Sequence, residues 1–133
     1  MTGTEVLTRM LHAIDRLDWT VARAAFADVV ATDYTSLWGG EPERLHADEL
    51  ISRWQDFTAT LAATQHQTGP IVASDGHAET HVTAYHWLPN GDVWTVHGHY
   101  IAGIADGTIA ELTLQTFYAG GHDALPAIPA RRP

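Results

Sequence analysis

The strongest constraint on the fold is a change of hydrophobic period near residue 63. Before it, from Thr4 to Leu17, Val6, Leu7, Met10, Leu11, Ile14 and Leu17 recur at three- and four-residue steps with Glu5, Arg9 and Arg16 between them. That is the period of a helix with one buried face. After it, apolar and polar residues alternate with period two. This predicts strands at about 64 to 74, 77 to 88, 93 to 105 and 108 to 118, separated by Asp75-Gly76, Pro89-Asn90-Gly91-Asp92 and Asp106-Gly107. Helices followed by a four-stranded antiparallel meander make an α+β pattern, with the helices packed on one face of the sheet.

Between these halves, Asp18 is placed to cap a second short helix running to about Phe26. A β-rich run, residues 28 to 37, ends in the turn-prone WGGEPE. A third helix fits Ala47 to Leu61, where Leu50, Ile51, Trp54, Phe57 and Leu61 form one stripe. Residues 1–118 read as a single domain, and 119–133, rich in glycine and proline, as an extended or disordered tail. Alternation assigns faces as well. Trp94, Val96, Gly98, Tyr100 and Ala102 share one side of their strand, and Leu112, Leu114, Thr116 and Tyr118 one side of the next. These faces are expected to meet the helices and, if the sheet curls, to line a pocket. The opposite face, with Val93, Ile101, Ile109 and Phe117 among polar residues, suggests self-association as a homodimer or homotrimer.

Composition removes several chemistries. The net charge is −9, with seven cations scattered except for Arg131 and Arg132, which argues against nucleic acid or an anionic membrane as partner. There is no cysteine, so no thiol nucleophile, disulfide or thiolate metal site. All seven cations are arginines, which excludes Schiff-base lysines and the lysine of a phosphate-binding loop. The first fifteen residues carry Glu5, Arg9 and Asp15 and lack the apolar run of a signal peptide. A soluble, cytoplasmic protein is expected.

Three phrases carry a family likeness: Ile14-Asp15-Arg16-Leu17-Asp18-Trp19, Thr32-Asp33-Tyr34-Thr35-Ser36, and Thr64-Gln65-His66 with Gly69. Together with the order of elements, they resemble the cone-shaped fold of the nuclear-transport-factor-2-like superfamily. Within it they are most similar to the SnoaL-like branch, with its polyketide cyclases and scytalone dehydratase. The resemblance implies that Asp15 is a pocket carboxylate, that His66 transfers protons, and that Tyr34 polarises a substrate carbonyl through water. Ile14 stands where the dehydratase has a second tyrosine, its second histidine falls near the Pro89 to Gly91 turn, and its asparagine corresponds to about Ile104. His86 shares a strand face with Val82 and Ala84 and is a candidate for the second histidine.

Each assignment has a plainer structural alternative. Asp15 is also readable as a last-turn helix charge, His66 as an ordinary polar strand residue, Tyr34 as a core tyrosine and His86 as a structural histidine. Trp54 is core or pocket wall, and Trp38 a lid residue or surface loop. Gly91-x5-His97-x-His99 begins a cupin-like metal motif, but Gly103 and Ile104 stand where its glutamate is required. The expectation is therefore a lyase or isomerase that needs neither metal nor cofactor and acts on an apolar, carbonyl-bearing small molecule. Asp15, Tyr34, His66 and His86 would carry the chemistry, and Trp38, Trp54, Trp94, Tyr100, Leu112 and Leu114 the walls. The alternative is a non-catalytic binding or oligomerisation module of the same fold.

Overall fold

A computed structural model describes residues 2–121, with Trp38 and Gly121 described in their backbone only. Four helices and seven strands follow in the order α1 (Gly3–Asp15), α2 (Trp19–Ala24), β1 (Phe26–Asp33), α3 (Thr35–Trp38), β2 (Glu43–His46), α4 (Ala47–Thr58), β3 (Ala63–Thr68), β4 (Val72–Ser74), β5 (His77–Trp87), β6 (Val93–Ala105) and β7 (Thr108–Gly121). Helix α1 starts in a capping box. Thr2 accepts from the Glu5 N–H, and the Glu5 carboxylate accepts from the Thr2 N–H. Asp18 caps α2 by accepting from the Val21 N–H at 3.2 Å, as its position in the sequence suggests. Among the described residues no helix is long and apolar enough to cross a membrane.

The sheet runs β2-β1-β7-β6-β5-β3, with β4 paired to β5 beside β3. The period-two segments form the expected antiparallel run of β3, β5, β6 and β7. The segment expected as one strand at 64 to 74 is broken at Gly69-Pro70 into β3 and β4; proline has no N–H to give to a ladder. The β-rich run after residue 28 pairs parallel with β7, and β2, which starts at the last residue of the predicted turn, pairs antiparallel with β1. The sheet is therefore mixed. The sequence expectation of a purely antiparallel sheet is corrected here, within an α+β architecture that stands.

Helix α1 crosses the concave side of the sheet and contacts β3 to β7, while α4 packs on β1 and β2. The core is built by Val6, Leu7, Met10, Leu11 and Ile14 of α1 against Tyr100, Ile109 and Leu112, all fully or almost fully buried. Two one-residue irregularities in β7 alter the expected faces. Gly103 pairs Glu111 while Ile104 pairs Ile109, so Ala110 is extra; His97 pairs Tyr118 while Gly98 pairs Thr116, so Phe117 is extra. A bulge switches the side to which later residues point. Ile109, expected on the outer face, is consequently buried in the core, and Tyr118, expected beside Leu112, is exposed on the outer face with Phe117.

The bulge at Phe117 also explains Gly98. A Cβ there would lie 2.7 Å from the Gln115 carbonyl oxygen and 3.0 Å from Leu114 Cδ1, and backbone cannot swing aside as a side chain can. Gly98→Ala is expected to destabilise the fold by about 1 to 3 kcal/mol, read as a lower urea midpoint with unchanged slope.

Candidate active site

The closing turn of α1 and the start of β3 bring the two ends of the site together. Asp15, the last residue of α1, accepts two hydrogen bonds from one residue: the His66 backbone N–H at 2.8 Å and the His66 ring Nδ1 at 2.6 Å. A carboxylate at a helix C-terminus gains nothing from the helix dipole; here the two donors from β3 hold it. Because Nδ1 faces a carboxylate it carries the proton, which leaves Nε2 as the acceptor on the far side of the ring. The His66 side chain is 2 % exposed and that of Asp15 15 % exposed, so the pair is screened from bulk water.

Facing it is a phenol pair. Tyr34, just after β1, and Tyr100, in the middle of β6, place their hydroxyl oxygens 3.0 Å apart, and the Trp54 ring of α4 lies edge-on to that of Tyr34 with centroids 6.4 Å apart. Either hydroxyl can be the donor of the Tyr34–Tyr100 bond, and in each case one phenol O–H is left outside it to meet a guest. Burial raises the Tyr34 hydroxyl well above its usual range, reinforced by Tyr100. Burial likewise pushes Tyr100 up to about 12. Both stay protonated donors at any physiological pH.

His86 of β5 lies directly across from Thr64 of β3, with Thr64 Oγ1 2.7 Å from His86 Nδ1. Its ring centroid is 5.1 Å from that of Phe57 and 6.2 Å from that of His66. Burial, with His66 beside it adding, depresses the His86 pKa to about 3. Above pH 6.5 both folded and unfolded states hold this ring neutral. As pH falls from 6.5 towards 3 only the unfolded chain takes the proton, so stability is lost across that window, at up to about 1.4 kcal/mol per pH unit. Urea unfolding between pH 6.5 and 5 is expected to show this slope in the parent and a flatter one in His86→Leu.

These groups surround a cavity of about 20 Å³, lined by Tyr34, Leu37, Trp54, Phe57, His66, Val82, Ala84, His86, Val96, Tyr100 and Leu114. That is room for a single water-sized guest. The structure thus brings Asp15, Tyr34, His66, His86, Trp54, Tyr100 and Leu114 to one place. It does not bring two of the expected wall residues there: Leu112 is fully buried in the core beneath, and Trp94 is half-buried outside the lining. The side chain of Trp38 lies outside the described residues. Phe57 and Val96, read from the sequence as members of buried faces but not singled out as walls, also line the cavity, and Thr64, which shares its strand face with His66, carried no assignment.

On the convex face, His77 meets Glu79 at 2.6 Å and His99 meets the same carboxylate at 3.3 Å. His81 packs edge-on against His99, and His97 bonds Thr83 at 3.1 Å. The histidines of the cupin-like pattern therefore point away from the cavity. A shallow depression of about 190 Å³ beside β1 and β2 carries Asp33, Glu43, Arg44 and Glu111 and shares no lining residue with the cavity.

No protein-family model and no curated protein sequence matches the chain. Solved structures do. The Kfla4162 protein of Kribbella flavida superposes with a TM-score of 0.77 at 22 % identity, covering 88 % of this chain and 89 % of its own. A candidate scytalone dehydratase of Novosphingobium aromaticivorans gives 0.73 at 16 %, covering 98 % and 91 %. A nuclear-transport-factor-2-like protein of unknown function from Exiguobacterium gives 0.67 at 20 %, covering 90 % and 99 %. At such identities the likeness is one of fold.

Proposed function

We propose that this chain, which has the nuclear-transport-factor-2-like fold, is a cofactor-independent lyase or isomerase acting on a small, mostly apolar carbonyl compound. The observation that carries the reading is the doubly anchored Asp15–His66 pair, at 2.6 and 2.8 Å, beside two protonated phenols in a small cavity. His66 Nε2 would take a proton from carbon next to the carbonyl, and Asp15 would hold the ring in one tautomer and stabilise the imidazolium formed. The oxygen that gains charge would be met by the phenol O–H that the Tyr34–Tyr100 bond leaves over. Return of the proton elsewhere gives isomerisation, and loss of a β-hydroxyl gives dehydration. The cavity of about 20 Å³ has room for a water-sized guest, so a larger carbonyl compound would bind with movement of the lining side chains. Exposed Phe117, Tyr118, Val72 and Val93 on the sheet support self-association as a homodimer or homotrimer.

The filled cone is also what favours the second reading, a non-catalytic module. Incubation with a panel of enolisable ketones and β-hydroxyketones in heavy water separates the two. The first reading expects deuterium incorporation or water loss by the parental chain above the buffer rate. A parental chain inactive across the panel, in which the ketones nonetheless bind and shift the signals of the cavity residues, would favour the second.

A further inference from the structure

The cavity contains two imidazoles, and their partners differ in kind. Asp15 can only accept from His66 Nδ1, so His66 presents a bare Nε2. Thr64 can both donate and accept. Its hydroxyl is buried on β3 and makes one side-chain hydrogen bond among the described residues, to His86 Nδ1 at 2.7 Å. Were His86 Nδ1 the donor, the Thr64 hydroxyl proton would have no acceptor among the described residues, the costly case for a buried polar group. His86 Nε2, by contrast, is not among the described side-chain atoms sealed without a partner and can carry its proton on the cavity side. The hydroxyl therefore donates, Nδ1 is bare, and the ring proton sits on Nε2.

We propose that Thr64 is a positioning residue that fixes His86 as the Nε2–H tautomer, making His86 a neutral hydrogen-bond donor opposite the base His66. The inference rests on the carbonyl reading of the site and names what that site recognises: an oxygen acceptor close to an acidic C–H. In the reaction the C–H bond breaks and its proton goes to His66 Nε2. The released pair forms the carbon–carbon double bond, and the carbonyl π pair moves to oxygen, where His86 Nε2–H joins the phenol donors in holding the enolate. The two rings, 6.2 Å apart and steeply inclined at 80°, then serve as acceptor and donor without exchanging roles. Depression of the His86 pKa to about 3 supports this, because a ring that resists protonation neither competes as base nor loses its neutral donor form.

The test is a long-range proton–nitrogen correlation spectrum of the full chain labelled with ¹⁵N-histidine, at pH 7.5, with His86→Gln and His66→Gln used for assignment. The expected result is His86 as a single Nε2–H tautomer and His66 as Nδ1–H. His86 appearing as Nδ1–H, or as an exchanging mixture, overturns the proposal. Thr64→Val, nearly isosteric, is expected to convert His86 to a mixture and Thr64→Ser to restore the single form; an unchanged Thr64→Val spectrum removes the role of Thr64. These spectra need no substrate and so are independent of whether the chain is an enzyme. On a ketone that the parent deuterates, Thr64→Val is expected to slow exchange about tenfold and Thr64→Ser to recover it. Full exchange in Thr64→Val despite a mixed tautomer would overturn the donor role of His86 and leave the base role of His66 intact.

Discussion

Replacing His66 with alanine is expected to lower deuterium exchange or dehydration of an accepted ketone by about 10² to 10⁴, the usual contribution of a positioned general base. The reason lies in how much of the fold is spent on one ring. Its Nδ1 is held by Asp15 at 2.6 Å, and the ring makes T-shaped contacts with Trp54 and His86, with centroids at 6.1 and 6.2 Å. Its exposed area is negligible. A ring restrained on three sides with one nitrogen left towards a cavity is pre-oriented for proton transfer. The backbone N–H of residue 66 still reaches Asp15 in the variant, so the chain is expected to remain folded by circular dichroism. His97→Ala on the convex face, which also removes a sheet histidine, is expected to keep the parental rate. Equal rates in the His66 variant and the parent would sink the mechanism.

Local patterns in this sequence predicted local structure well, and its errors are those of long-range pairing. The stripe of α1, the cap at Asp18 and the inward face of Trp94 to Ala102 all follow from the spacing of side chains along one element. The parallel pairing of β1 with β7 joins residues about eighty positions apart, and alternation within a strand carries no information on its neighbour. Helix α3, only four residues in Thr35–Trp38, is too short to show a period. The bulges at Ala110 and Phe117 are invisible for a related reason: the written alternation continues through them, and only the partner strand reveals the extra residue. Hence Ile109 and Tyr118 were assigned to the wrong sides.

The site divides the same way. Asp15 and His66, fifty-one residues apart, were linked by resemblance to a family and not by any spacing of their own. Their hydrogen bonds show that the two residues meet, which leaves their chemical roles to the experiments above. Thr64 carried no signal because a threonine in a strand is ordinary. Its meaning comes from standing opposite His86 across the β3–β5 ladder. The filled cone could not be foreseen either, since large aromatic residues at inward positions are equally good at lining a pocket and at closing one.

Asp15 is where the chemistry and the stability of the fold are joined, and its variants are expected to pull them apart. Asp15→Ala removes the shared acceptor of the His66 backbone N–H and ring Nδ1. Hydrogen bonds to a charged group contribute about 1.5 to 3 kcal/mol each, and donors left buried without an acceptor are costly. A loss of about 3 to 5 kcal/mol is therefore expected, read by urea unfolding, since these bonds tie α1 to the first strand of the meander. Asp15→Asn is different in kind. One amide oxygen can still accept from one of the two donors, but the amide NH₂ then points donor-to-donor at the other. If the oxygen keeps the backbone N–H, the ring must change tautomer, with Nδ1 bare towards the amide and Nε2–H presented to the cavity, the wrong form for a base. The amide variant is accordingly expected to lose less stability than the alanine variant while losing turnover by about as much as His66→Ala. Retention of the parental rate by Asp15→Asn would show that the carboxylate serves the fold alone, because the geometry leaves no other group on α1 to orient the ring.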